Sequence, residues 1–269
     1  MPTTGVTAIF NNTSPAGTVY LAANGFASRI RQNVSAPART ITINPSAASS
    51  ANLFLDGLSA ELFDCAAATA DLTLDGTPNA NGAKLTLTIA GTAPITVASG
   101  RQLRLLLDIS GSNGIKLTSA SGTVVLGGIN TYSGNTTVAS GGTISLLDDA
   151  RLTFYIGANG VNNNISGAGT VLLDGDFDFD LTNADLTPGN SWNIVNVATL
   201  NETYGSTFSV IGFTGSSGVW TKASGSLLWT FTESTGLLQL SAVPEPSTAG
   251  LALLGTAGLW MLRSRRRTV

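Results

Sequence analysis

Short runs in which an apolar residue alternates with Thr or Ser recur along the chain. They include Thr40-Ile41-Thr42-Ile43, Leu72-Thr73-Leu74, Leu85-Thr86-Leu87-Thr88-Ile89, Ile95-Thr96-Val97 and Thr143-Ile144-Ser145-Leu146. A period of two with β-branched residues puts the apolar side chains on one face of a strand and the hydroxyls on the other. Most of the runs close on Gly, Asn, Asp or Pro, so the pattern predicts many short strands joined by tight turns. Ala60-Glu61-Leu62-Phe63-Asp64 is the one charge-rich helical candidate, and the Ala run after it suits a strand turn equally well. Short strands at regular spacing suit a solenoid whose rungs stack on one another, but a two-sheet sandwich has the same periodicity. Spacing alone leaves both open.

Composition narrows the function classes. The 269 residues, one or two domains' worth, are 43% hydrophobic but only 11% charged, with 31 Gly. An average soluble domain is about 25% charged, and a helical bundle needs Glu, Lys and Arg on its wet faces. The chain has no His, which removes Ser-His-Asp and Cys-His catalysis and His-ligated zinc. Cys65 is the single cysteine, so no internal disulfide or cysteine metal cluster can form. Beside Ala66, Ala67 and Ala68 it reads as a small buried apolar residue. Four of the 13 basic residues, Arg263, Arg265, Arg266 and Arg267, stand in the last seven positions. Without them and Glu245, residues 1–243 carry nine basic residues against fifteen acidic, a net of −6. Such a body has no electrostatic footprint for nucleic acid.

Candidate chemistry is sparse. Asp174, Asp176, Asp178 and Asp180 alternate with Gly175, Phe177 and Phe179. On a strand the four carboxylates would share one face, a conceivable calcium site. The spacing fails the EF-hand pattern, with Phe179 where Gly should stand and Asp185 where Glu should, so a wet strand face over core Phe is the expectation. Asp148-Asp149 followed by Arg151 invites comparison with the paired carboxylates of glycoside hydrolases, but adjacent strand residues point to opposite faces. Trp192, Trp220 and Trp229 could serve as sugar platforms, yet each sits beside alternating apolar residues, as core aromatics do. No phosphate loop or nucleophile elbow is present. No enzyme activity, cofactor or metal is expected.

The stretch from Asp108 onward separates solenoid from sandwich. Asp108-Ile109-Ser110-Gly111-Ser112-Asn113-Gly114-Ile115-Lys116-Leu117 leads into Gly122-Thr123-Val124-Val125-Leu126-Gly127-Gly128. Ile129-Asn130-Thr131-Tyr132-Ser133-Gly134-Asn135-Thr136-Thr137-Val138 and Gly142-Thr143-Ile144-Ser145-Leu146 follow. This region, about residues 103–146, resembles the autotransporter-associated β-strand repeat, departing at Ser121 and Asn135. The resemblance implies rungs of a right-handed parallel β-helix. Asn163-Asn164-Ile165-Ser166-Gly167-Ala168-Gly169-Thr170-Val171-Leu172-Leu173 echoes the same elements and reads as a further rung. After about residue 175 the aromatics Trp192, Tyr204, Phe208, Phe213, Trp220 and Trp229 gather. Leu227–Thr232 and Leu237–Leu240 read there as two strands about a turn, and residues 176–242 as a β-rich cap over the last rung's edge.

The end of the chain carries the most specific pattern. Val243-Pro244-Glu245-Pro246 cannot continue a helix or a sheet ladder and forms an extended junction. Residues 247–262 are uncharged; as a helix these 16 residues would span about 24 Å, short of a bilayer core of about 30 Å. Gly250, Gly255 and Gly258 weaken that helix, and Arg263, Arg265, Arg266 and Arg267 would hold its end in the cytoplasm. A weak C-terminal membrane anchor is one reading. The order of proline-flanked Glu245, apolar span and terminal Arg cluster resembles the PEP-CTERM signal of Gram-negative bacteria. That resemblance implies export, recognition by an exosortase at the inner membrane, removal of the tail, and delivery to the cell surface or extracellular matrix. It also implies a leader, whereas residues 1–10 have no basic region and no long apolar one, and read as a strand beginning in mid-fold. The expectation is a sequence lacking its true N-terminus, testable by an in-frame upstream extension encoding a signal peptide.

These readings converge on an all-β chain: a right-handed parallel β-helix over 1–175, a β-rich cap over 176–242, and a sorting signal over 243–269 with a short transmembrane helix at 247–262. The expected function is a structural or adhesin-like surface protein, its sorting motif Pro244, Glu245 and Pro246 and its stop-transfer cluster the four C-terminal arginines. Expected partners are the exosortase and inner membrane, transiently, and extracellular polysaccharide as a candidate. A polysaccharide-binding module, or less readily a β-helical polysaccharide-active enzyme, is the alternative.

Overall fold

A computed structural model describes residues 7–10, 17–33, 37–57, 61–92, 94–118, 122–198 and 203–243. The chain advances in three-strand rungs. The first is β1 (Thr7–Phe10), β2 (Gly17–Leu21) and β3 (Gly25–Ala27), and the second β4 (Arg29–Gln32), β5 (Arg39–Ile43) and β6 (Ala51–Leu55). The third is β7 (Phe63–Cys65), β8 (Leu72–Asp75) and β9 (Leu85–Ile89), and the fourth β10 (Ile95–Val97), β11 (Gln102–Leu106) and β12 (Asp108–Ser110). The fifth is β13 (Lys116–Leu117), β14 (Thr123–Gly127) and β15 (Ile129–Asn130), and the sixth β16 (Thr136–Val138), β17 (Thr143–Leu146) and β18 (Arg151–Tyr155). The seventh is β19 (Ile165–Gly167), β20 (Thr170–Leu173) and β21 (Asp176–Asp180). From each of these rungs to the next, the strands pair in parallel with their counterparts three strands on, giving three parallel sheets, the arrangement of a parallel β-helix.

Stacked registers turn the sequence alternation into continuous columns of core side chains. One column runs Ile30, Phe63, Ile95, Leu117, Val138; a second runs Ile41, Leu74, Leu105, Leu126, Leu146, Leu173. All of these are buried. A parallel strand with one wet face cannot bury its inward side chains without neighbours above and below, so each rung is stabilised by the next. The third column, Leu53, Leu87, Ile109, Asn130, Leu152 and Phe177, contains one polar member. Asn130 is fully buried and donates its amide to the carbonyls of Gly127 (3.3 Å), Gly128 (3.2 Å) and, one rung on, Arg151 (2.9 Å). It thereby supplies buried donors to the carbonyls of the corner, of which Gly128 O also accepts the Arg151 N–H at 2.9 Å. At the same corner Gly128 has φ +66°, and a Cβ there would lie 2.6 Å from the Leu107 carbonyl carbon. Two residues beyond Asn130, Tyr132 is fully buried and shares a 2.7 Å hydrogen bond with the Thr136 hydroxyl across the turn.

The parallel stack runs past residue 175. Asp176–Asp180 pairs with Arg151–Tyr155, and an eighth, partial rung follows: β23 (Val195–Val197) on β19 and β24 (Ser209–Val210) on β21. A five-stranded antiparallel sheet closes the end, in the order β22 (Ser191–Asn193), β28 (Leu237–Ala242), β27 (Leu227–Thr232), β26 (Val219–Ser224), β25 (Thr214–Ser216). Its Phe231 is fully buried against Phe177, Phe179, Tyr204 and Phe208, and its Trp229 lies 5.3 Å from Trp192. The two strands of the eighth rung, which continue the parallel sheets within 176–242, are too short to stand out as alternation.

The helical candidate around Ala60–Asp64 is resolved against a helix: Phe63–Cys65 is a strand of the third rung. The described residues contain no helix, and none long and apolar enough to cross a membrane. The transmembrane helix expected at 247–262 lies outside the described residues.

Candidate functional site: the chain exit and the last rungs

The last strand of the cap leads in sequence into the sorting pattern. β28 lies between β22 and β27 in the cap, with Leu238 and Leu240 buried and Gln239, Ser241 and Ala242 exposed. Val243 is the last described residue, 38% exposed, and its N–H donates to the Ser226 carbonyl at 2.8 Å. The chain is thus held by the cap up to the residue before Pro244, whose ring nitrogen has no hydrogen to extend the ladder. Pro244, Glu245, Pro246 and the cluster Arg263, Arg265, Arg266 and Arg267 lie outside the described residues. The wet outer side of Ser241 and Ala242 leads directly to them.

The other sequence candidates are placed as follows. Asp176, Asp178 and Asp180 point outward from β21 while Phe177 and Phe179 enter the core. Asp174 sits before the corner at Gly175 and does not join them on the strand. Asp176 accepts a hydrogen bond from the Ser209 hydroxyl, and Asp178 faces Arg151 at 3.7 Å. Among the described residues no three of His, Cys, Asp and Glu converge as a metal group would require. Asp148 and Asp149 occupy an exposed turn. Trp192 and Trp229 are buried in the cap, whereas Trp220 is half-buried and donates its indole N–H to Glu233 at 2.7 Å.

Two charge clusters escaped the sequence reading. Asp64 receives Arg29 at 3.0 Å and Arg31 at 3.1 Å, with Glu61 3.7 Å from Arg29 and accepting from the Thr96 hydroxyl at 2.6 Å. Neighbouring Cys65 is buried, and burial, reinforced by the negative charges of Asp64 and Glu61, pushes its thiol up to about 12. The second cluster pairs Lys84 with Asp108. Burial opposes ionisation of Asp108, but the Ile129 N–H and the Lys84 ammonium outweigh it and hold the carboxyl below the usual range. Both clusters tie one rung to another, so their chemistry is that of bracing.

One corner that widens among the described residues lies between the sixth and seventh rungs. Tyr155 and Asp180, paired across β18 and β21, project there beside Gly157, Val161 and Asn183, around a cleft of about 210 Å³. A second cleft, of about 260 Å³, lies in the cap between Tyr204, Glu233 and the turn Ser217-Gly218-Val219.

No curated protein and no solved structure matches the chain. Its last residues do match a family description, the PEP-CTERM protein-sorting motif, over residues 242–267. The match starts on the last two residues that the cap holds, Ala242 and Val243, and takes in the proline-flanked Glu245, the uncharged span and the Arg cluster. The motif indicates exosortase-dependent sorting of this chain, by way of the membrane, toward the cell exterior.

Proposed function

We propose that this chain is a non-enzymatic surface or matrix protein, a right-handed β-helix of the autotransporter-associated repeat type that is delivered by removal of its C-terminal tail. The observation that carries the reading is the junction: a capped solenoid holds the chain through Val243, whose N–H bonds to Ser226 O, and Pro244-Glu245-Pro246 of the matched motif follow directly in sequence. A processing enzyme at the outer face of the inner membrane needs an extended, solvated segment between body and bilayer, and the two prolines supply one. The Arg cluster resists translocation and holds the intermediate in place, while a span of about 24 Å interrupted by three glycines makes a poor permanent anchor. The structural or adhesin-like role rests on the body itself. Stacked rungs with outward Thr, Ser and Asn build a long, weakly charged surface, and the described chemistry braces rungs rather than converging on a reacting centre.

The test is fractionation in a host that carries an exosortase, with a signal peptide supplied. Replacing Pro244-Glu245-Pro246 by Ala leaves a full-length, membrane-held species. Replacing Arg263, Arg265, Arg266 and Arg267 by neutral residues releases unprocessed protein from the membrane. If both variants fractionate like the unaltered chain, the tail is an ordinary anchor and the proposal fails.

A further inference from the structure

The rungs are not equally long at their corners. Five residues connect Ser110 to Lys116 and five connect Asn130 to Thr136, whereas nine (156–164) connect Tyr155 to Ile165 and ten (181–190) connect Asp180 to Ser191. Both insertions stand at the same corner of successive rungs, where loops of a solenoid build binding surfaces. They are braced rather than loose. Gly157 and Val161 bond across the first loop at 2.9 Å, and Asp185 N–H reaches Gly157 O at 3.0 Å and Gly160 N–H reaches Ser191 O at 3.0 Å between the two. Asn159 accepts from Ser191 N–H at 2.9 Å, and the Trp192 indole donates to Ala158 O at 2.7 Å.

We propose that the cleft between these loops is a subsite for one ring of a neutral saccharide. Tyr155 supplies the platform: it stays 36% exposed at the cleft, and its hydroxyl donates to Thr131 O at 2.9 Å, which fixes the ring in place. A pyranose has an apolar C–H face that stacks on such a ring and a rim of hydroxyls that needs planar hydrogen-bonding groups beside it. Asp180, which lines the cleft, provides a carboxylate, one oxygen of which accepts from Thr182 N–H at 3.0 Å. The Thr182 hydroxyl and N–H lower its pKa, so it is an acceptor at any physiological pH. Exposed Asn183 adds an amide that both donates and accepts. Val161, 60% exposed, extends the apolar floor. Asp178, Asp180 and Asp185 make this corner negative, and Arg151 is engaged with Asp178, so a uronate is disfavoured. A quaternary ammonium would want a cage of several rings, and only one ring lines the cleft. The volume of about 210 Å³ lies below that of sites that enclose a whole small molecule, as suits a surface that reads one unit of a longer chain. This inference stands apart from the sorting reading and survives or fails without it.

The experiment is isothermal titration of the full chain, in mild detergent, with gluco-, manno- and galacto-configured neutral hexasaccharides, a hexauronate, and choline. At least one neutral hexasaccharide binds at millimolar or tighter Kd and the hexauronate does not. Tyr155→Ala weakens that binding about tenfold or more, Tyr155→Phe holds it within roughly threefold because the platform remains, and Asn183→Ala, at an exposed loop position, weakens it while leaving the melting temperature unchanged. The proposal is overturned if none of the three neutral sugars binds at about 10 mM, if Tyr155→Ala and Asn183→Ala both bind like the unaltered chain, or if choline binds and the sugars do not.

Discussion

Replacing Phe231 with Ala removes the ring that joins the cap to the open end of the coil. Phe231 is fully buried, with ring centres 5.9 Å from Phe177, 5.6 Å from Phe179, 6.1 Å from Tyr204 and 6.3 Å from Phe208. Two of those partners belong to the seventh rung and two to the segment that forms the eighth. Truncating a buried Phe costs about 3–5 kcal/mol. Phe177 and Phe179 are held on the paired strand β21 and Tyr204 by a bridge to Leu173, which limits collapse into the gap, so the upper half of that range, about 4 kcal/mol, is expected. Urea unfolding followed by the fluorescence of Trp192 and Trp229 measures the total. Hydrogen exchange then locates it: rungs touch mainly their neighbours, so protection falls in the cap and in Ile165–Gly167, Asp176–Asp180 and Val195–Val197, while Leu85–Ile89 and Gln102–Leu106 keep theirs. Val219→Ala, at a site 37% exposed on the same sheet, stays within about 0.5 kcal/mol. A loss under about 1 kcal/mol for Phe231→Ala, or protection lost evenly along the chain, would refute the capping argument.

Three further outcomes follow from the rungs. Asn130→Ala strips the carbonyls of Gly127, Gly128 and Arg151 of a buried donor and costs about 2–3 kcal/mol by urea unfolding. Asp108 has a depressed folded pKa, so its contribution is present above its unfolded value of about 3.9 and is lost as pH falls through the lower, folded one. Asp108→Asn therefore loses stability at neutral pH and shows a shallower acid limb, and an acid limb unchanged from that of the parent contradicts the assignment. Cys65, its thiol pushed up to about 12, resists a disulfide reagent at pH 8 in the folded chain and reacts fully in urea; fast labelling of the native protein contradicts its burial.

Much of the coil is legible in the sequence, because an inward position in a parallel rung is apolar wherever it stacks on apolar neighbours. Thr40–Ile43, Leu72–Leu74, Leu85–Ile89, Ile95–Val97 and Thr143–Leu146 all lie in strands, and Asn163–Leu173 contains two. Alternation is silent about whether strands pair in parallel, so coil against sandwich rests on the recurring Gly-Thr elements and the single Asn130-Thr131-Tyr132. Those elements have a physical basis: Asn130 feeds the corner carbonyls, and Tyr132 fills the space beneath with its hydroxyl on Thr136. Beyond residue 175 alternation gives no guide to the coil, because Val195–Val197 and Ser209–Val210 are too short to carry a period. The Tyr155 cleft was missed for a related reason. Residues 156–164 and 181–190 are rich in Gly, Asn, Thr and Ala and read as ordinary turns. Spacing does not single them out: Ile165 stacks on Val195, 30 residues on, but Ile30 to Phe63 and Phe63 to Ile95 are 33 and 32 apart, against 22 and 21 for Ile95 to Leu117 and Leu117 to Val138. The sorting pattern needed no fold to be read, because its parts are contiguous.

The central claim is that the capped coil leaves the cell without its tail, and intact mass measurement of the surface-released protein tests it most directly. Expressed with a signal peptide beside an exosortase, the chain is expected to end at or near Pro246, keeping Val243 and the cap and losing the uncharged span with Arg263, Arg265, Arg266 and Arg267. A surface protein whose mass still extends to Val269 contradicts the account.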